Sequence, residues 1–131
     1  MASIVIIEDD SHSGRMASKI LKRAGHQVYL LATGEDGLTA VLETHPDVLL
    51  IDLGLPDIDG QTVIALLRQQ PEMANTVIVA FTGWPQDTAY KMATAYGCDG
   101  VITKPIDTRA FAGQVENFMN MHKEKEPRGP N

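Results

Sequence analysis

The run Val48-Leu49-Leu50-Ile51 ends abruptly in Asp52, and the loop Leu53-Gly54-Leu55-Pro56-Asp57-Ile58-Asp59-Gly60 follows. Four apolar residues without polar alternation, closed by turn-forming residues, predict a short strand buried on both faces. Such a strand belongs in a parallel sheet with helices on both sides, which removes most other folds. Ile4-Val5-Ile6-Ile7, Val77-Ile78-Val79-Ala80-Phe81 and the shorter Gly100-Val101-Ile102-Thr103 read the same way, and residues 27–31 read as the remaining strand.

The segments between these runs carry helical periodicity. The first has the stripe Met16, Ala17, Ile20, Leu21 and Ala24, with Ser11 or Ser13 as its cap and Gly25 as its stop. In the second, Thr33 caps a helix that turns Leu38, Val41 and Leu42 inward. Residues 60–70 bury Val63, Ile64, Leu66 and Leu67. Pro85 opens a helix with Ala89, Met92, Ala93 and Tyr96 inward, ended by Gly97. Asp107 or Thr108 caps the last, with Phe111, Val115, Phe118 and Met119 inward. Five strands alternating with five helices predict one α/β domain over residues 1–122 and a polar tail over 123–131.

Composition narrows the partners. The 131 residues suit a single core, and the formal net charge is −6 with no dense Lys/Arg cluster. A phosphate backbone or an anionic membrane surface calls for a basic face, so neither is expected as a partner. A single cysteine, Cys98, expected as a small buried residue, excludes an internal disulfide. With no long apolar run and no basic leader at the N-terminus, the expected location is the cytoplasm.

Four strands end in polar groups that can converge in one crevice: Glu8-Asp9-Asp10, Asp52, Thr82 and Lys104. Taken singly, each has an ordinary reading as a turn, a cap or a solvated charge. Taken together, clustered carboxylates repel unless a cation joins them, and hard oxygen donors suit Mg²⁺ or Mn²⁺. An aspartate beside such a cation is a nucleophile toward phosphorus. An ammonium and a hydroxyl bind phosphoryl oxygens. These parts fit phosphoryl transfer onto Asp52.

At these positions the chain resembles the response-regulator receiver domain, over roughly residues 3–121. The pieces that carry the resemblance are residues 4–10, the Asp52–Gly60 loop, Phe81-Thr82-Gly83 and Lys104-Pro105. The resemblance implies a doubly wound, flavodoxin-like five-stranded sheet of order 2-1-3-4-5. It implies a phosphoryl group received from a histidine kinase or histidine phosphotransfer protein and a changed affinity for an output protein that the sequence does not identify. Asp52 looks like the phospho-acceptor. Glu8 and Asp9 look like the acidic pair, with Asp9 the direct metal ligand, and the Gly54 carbonyl looks like a backbone ligand. Thr82 looks like the switch hydroxyl and Lys104 the phosphate-pairing lysine, with a cis bond to Pro105. Asp10 is expected to be peripheral.

One departure stands out. Many receivers carry Tyr or Phe three residues before the lysine, where this chain has Val101. Trp84 is the candidate to report or replace that ring, and Gly83 leaves the phosphoryl site open. The protein is not expected to be an enzyme beyond its own phosphotransfer and slow autodephosphorylation. A dehalogenase-type phosphohydrolase would place a second aspartate where Gly54 stands, and a flavin phosphate would meet three carboxylates. His12, His26, His45 and His122 lack metal-ligand spacing and are expected at the surface or in loops. The expectation is a stand-alone receiver, a monomer or weak homodimer. The alternatives are a receiver fragment of a hybrid kinase or longer regulator, and a non-phosphorylated interaction module.

Overall fold

The structure is a computed structural model, and it describes residues 1–125. Strands β1 (Ser3–Ile7), β2 (Gln27–Leu31), β3 (Val48–Ile51), β4 (Val77–Thr82) and β5 (Gly100–Thr103) alternate with helices α1 (Ser11–Arg23), α2 (Gly34–Thr44), α3 (Gly60–Arg68), α4 (Gln86–Tyr96) and α5 (Phe111–Lys125). The five strands form one parallel sheet in the order β2-β1-β3-β4-β5. α5 carries past the expected boundary at residue 122, and residues 126–131 of the expected tail lie outside the described residues.

Period-two alternation sorts the strand side chains onto two faces, both apolar. Ile4, Ile6, Leu50, Val79 and Phe81 pack with Ala17 and Leu21 of α1 and with Phe111 and Val115 of α5. Val5, Ile7, Leu49, Ile51, Ile78 and Ala80 pack instead with Val41 of α2 and Val63, Ile64 and Leu67 of α3. Among the described residues, no helix is long and apolar enough to cross a membrane.

Several helix expectations need correction. Asp10, not Ser11 or Ser13, caps α1: its Oδ2 accepts from the Ser13 N–H at 3.1 Å and the Ser13 hydroxyl at 2.6 Å. Ala24, Leu42, Leu66 and Tyr96 are exposed. Small residues take the inner positions: Gly14 and Ser18 of α1, Gly34 and Gly37 of α2. The reason is close helix-to-sheet approach, since a Cβ at Gly37 would lie 2.3 Å from Ile7 Cδ1. Burial pushes the Cys98 thiol up to about 12, so it is unreactive as a nucleophile.

His26 is also more buried than expected, with its side chain 8% exposed. The Ala2 N–H donates to its Nδ1 at 3.1 Å, which leaves the neutral ring's proton on Nε2, 3.2 Å from Glu116 Oε1. This clasp ties the chain start and the α1–β2 turn to α5.

A second clasp closes the amino ends of β4 and β5. Arg68 donates from Nε to the Gly97 carbonyl at 2.9 Å and from one terminal nitrogen to the Met73 and Thr76 carbonyls at 3.0 and 2.9 Å. Its other terminal nitrogen donates to Asp99 Oδ2 at 2.8 Å, which also accepts the Ile78 N–H at 2.8 Å. Replacing Arg68 with Met keeps most of the stem but strands the Gly97 and Thr76 carbonyls, leaves the Met73 carbonyl only the Thr76 N–H, and takes the guanidinium from a half-buried Asp99 that keeps the Ile78 N–H and His122. The expected cost is about 3 kcal/mol, read as a lower urea midpoint at unchanged m-value. A shift within the noise of the wild-type midpoint would show that water replaces every one of those bonds.

Candidate phosphoryl and metal site

Strand register brings the acidic residues together. Ile7 pairs with Ile51 across β1 and β3, so the residues that follow them, Glu8 and Asp52, leave the sheet side by side. The Asp52 N–H still donates to the Ile7 carbonyl at 3.0 Å, and the Glu8 N–H to the Leu31 carbonyl at 2.9 Å. Glu8 and Asp52 are buried and Asp9 is exposed. One carboxylate oxygen from each of the three lies within 4.8 Å of the others. Thr82 ends the neighbouring strand β4, and the Lys104 N–H donates to the Thr82 carbonyl at 2.7 Å, which brings the β5 exit alongside.

Lys104 supplies the countercharge. Its Nζ pairs with Glu8 Oε1, lies 3.5 Å from Asp52 Oδ2 and sits 5.0 Å from the centre of the Phe81 ring. Burial works to lower the Lys104 pKa, but the hydrogen bond to Glu8 and the charges of Asp52 and Glu8 outweigh it, and the net direction is upward. The Lys104–Pro105 bond is cis, as the resemblance implies. The Phe81 ring under the ammonium went unread in the sequence, where Phe81 counts as a strand residue and as part of the Phe81-Thr82-Gly83 match. An aromatic residue immediately before the switch threonine was the available signal.

Glu8 shows what one lysine among three carboxylates leaves unbalanced. Burial first, then the neighbouring Asp52, raises its pKa from 4.5 to about 7, while Lys104 pulls the other way. Folding therefore favours the protonated form. In metal-free protein this contribution to stability is full below pH 4.5 and is lost as the pH rises through 7, because the unfolded chain then holds fewer protons than the native one. The expected loss from this group is roughly 3 kcal/mol, measured as a falling urea midpoint in EDTA. Millimolar Mg²⁺ is expected to restore most of it at pH 8 and little of it at pH 5. Metal-free stability that holds steady or rises from pH 5 to pH 8 would contradict this environment for Glu8.

The remaining positions complete the rim. Asp52 Oδ1 accepts the Gly54 N–H at 3.1 Å. Thr82 is fully buried, and its Oγ1 accepts the Trp84 N–H at 3.1 Å. Trp84 and Val101 both lie partly buried against the apolar layer beneath α2 and α3. Gly83 is exposed, and a Cβ there would meet nothing within 4 Å. Asp10 stands apart as the α1 cap, although its N–H donates to Glu8 Oε2 at 3.3 Å. Thus β1, β3 and β5 together supply Glu8, Asp9, Asp52 and Lys104, with Thr82 at the end of the intervening strand. Three hard anionic oxygens at this spacing with only one ammonium fit Mg²⁺ or Mn²⁺ in charge and in donor type. The partner of Asp57 also went unread. Asp57 stands in the loop after Asp52, but its carboxylate binds the start of α2.

Comparison with known proteins agrees with this geometry. A family model for the response regulator receiver domain matches residues 4–116. The polar-differentiation response regulator DivK of Brucella ovis is 24% identical over 117 residues, covering 89% of this chain and 95% of that protein. The transcriptional regulatory protein AfsQ1 of Streptomyces coelicolor is 31% identical over 115 residues, covering 88% of this chain but 50% of AfsQ1. The chemotaxis response regulator CheY4 of Vibrio cholerae superposes with a TM-score of 0.85 at 23% identity, covering 90% of this chain and 98% of that one.

Proposed function

The chain belongs to the response regulator receiver domain family, and from that premise we propose that it takes a phosphoryl group on Asp52 in a Mg²⁺-dependent step and then changes its affinity for a partner protein. The observation that carries this reading is Asp52 itself. One of its oxygens lies 3.5 Å from the Lys104 ammonium, and its carboxylate is grouped with those of Glu8 and Asp9.

The donor is a phosphohistidine of a histidine kinase or phosphotransfer protein. A carboxylate oxygen of Asp52 attacks phosphorus, a P–O bond forms as the donor's P–N bond breaks, and the imidazole leaves. Lys104 exchanges part of its contact with Glu8 for a phosphoryl oxygen. Glu8, Asp9, Asp52 and the Gly54 carbonyl would hold the cation, which would supply positive charge beside the transferring group. Apart from its own phosphotransfer and slow hydrolysis of the product, the chain catalyses nothing, and its working place is the cytoplasm.

The response follows from Thr82. Its hydroxyl oxygen holds the Trp84 N–H. Moving Thr82 toward the new phosphoryl group releases that bond and frees the Trp84 loop. Val101 offers no ring to swing, so the readout runs through the Trp84 loop at the start of α4. The phosphoryl group works by population shift between two loop positions, and a partner senses the difference.

The test is incubation with acetyl phosphate or phosphoramidate and Mg²⁺. The expected result is an intact-mass gain of one phosphoryl group that EDTA prevents. No gain at any Mg²⁺ concentration would sink the reading.

A further inference from the structure

The loop after Asp52 is fastened to a distant helix by one carboxylate. Asp57 Oδ1 accepts the Gly34 N–H at 2.8 Å and Asp57 Oδ2 accepts the Glu35 N–H at 2.9 Å. These are two of the four donors that the first turn of a helix leaves unpaired. The cap of α2, Thr33, serves only a third, the Asp36 N–H at 3.1 Å. Packing reinforces the bond: a Cβ at buried Gly34 would lie 3.3 Å from Asp57 Oδ1, 3.3 Å from Ile58 Cβ and 3.5 Å from Leu55 Cδ1. The two donors hold the Asp57 carboxyl below the ordinary carboxylate range. Leu53 and Leu55 are buried on either side of exposed Gly54, whose N–H donates to Asp52 Oδ1.

We infer that Asp57 is a positioning residue. By clamping the loop to α2 it fixes Gly54, so that the Gly54 N–H stays on Asp52 and the Gly54 carbonyl stays where a cation needs it. The cation half of this inference rests on the function proposed above; the hold on the Gly54 N–H does not.

Asp59 provides the control. It lies in the same loop and carries the same charge, yet as the residue before α3 its side chain makes no capping hydrogen bond. Two measurements separate the clamp from mere charge. The first is Mg²⁺ affinity by calorimetry. Asp57→Ala is expected to weaken it about tenfold, the scale of losing an outer support. Asp59→Ala is expected to weaken it by no more than about twofold, the scale of one screened surface charge. The second is hydrogen exchange of the Gly54 amide in metal-free protein, expected to accelerate in Asp57→Ala and not in Asp59→Ala. Asp57→Asn keeps one acceptor oxygen, folds if the alanine variant does not, and should fall between Asp57→Ala and Asp59→Ala in both measurements. If neither Asp57 variant differs from Asp59→Ala in either measurement, the clamp is wrong. If the wild-type protein binds no Mg²⁺, the functional reading fails, and the metal-free exchange comparison alone decides the clamp.

Discussion

Asp52→Asn is expected to remove phosphoryl acceptance altogether. In acetyl phosphate and Mg²⁺ the variant should show no mass gain under conditions that phosphorylate the wild-type chain to completion. The amide keeps the shape, and its oxygen can still accept the Gly54 N–H, but it offers no anionic oxygen to attack phosphorus. The same change should raise stability. Asp52 is one of the influences that lift the Glu8 pKa, so removing its charge lets Glu8 ionise more easily inside the fold. At pH 7.5 in EDTA the variant should gain about 1 kcal/mol in urea unfolding. Lost acceptance with gained stability marks a site whose carboxylates are arranged for chemistry at the expense of the fold. A mass gain that persists in Asp52→Asn would move the acceptor elsewhere. A variant that is less stable in EDTA would show that the contact with Lys104 outweighs the repulsion.

The sheet and the strand exits were legible because parallel strands announce themselves. Val48–Ile51 and Ile4–Ile7 must be apolar on both faces, so neither can be mistaken for an amphipathic element, and each hands its next residue to the crevice. Register then does what sequence cannot. It sets Glu8 beside Asp52, although 43 positions separate them in the chain. The helices were less legible, because a stripe read by period does not say how closely a helix approaches the sheet. Leu42, Leu66 and Tyr96 fall at stripe edges and stay exposed, while Gly34 and Gly37 go inside because only small residues fit there. Caps were ambiguous where acceptors adjoin, as in Asp10-Ser11-His12-Ser13, and local pattern could not choose among them. Long-range polar bonds outside the crevice left no trace. Nothing near Asp57 mentions Gly34, nothing near Arg68 mentions Thr76, and His26 looks like an ordinary turn residue until Ala2 and Glu116 arrive beside it.

The largest structural effect is expected from the smallest change in that loop. Gly60 opens α3, and its N–H donates to the Leu53 carbonyl at 3.2 Å. A Cβ at this position would lie 2.2 Å from the Asp52 carbonyl oxygen, 2.7 Å from Leu53 Cα and 2.9 Å from the Asp52 carbonyl carbon. All three are main-chain atoms, so no rotamer change relieves the contact. The Asp52 end cannot retreat either, because its N–H is bonded to β1 and Leu53 is buried. Either α3 withdraws from the sheet, uncovering part of Val63, Ile64 and Leu67, or the main chain at Asp52 turns aside. Gly60→Ala is therefore expected to cost at least about 4 kcal/mol in urea unfolding, the exceptional end of single-substitution effects. Any folded fraction should have lost Mg²⁺ affinity as well, because the displaced atoms belong to Asp52 and its neighbours. Gly83→Ala is the matched control, since a Cβ there meets open space, and it should leave stability within about 0.5 kcal/mol of wild type. A Gly60→Ala protein as stable as the Gly83→Ala control would mean that α3 does not start against the acceptor strand, and the placement of the whole Asp52 loop would fall with it.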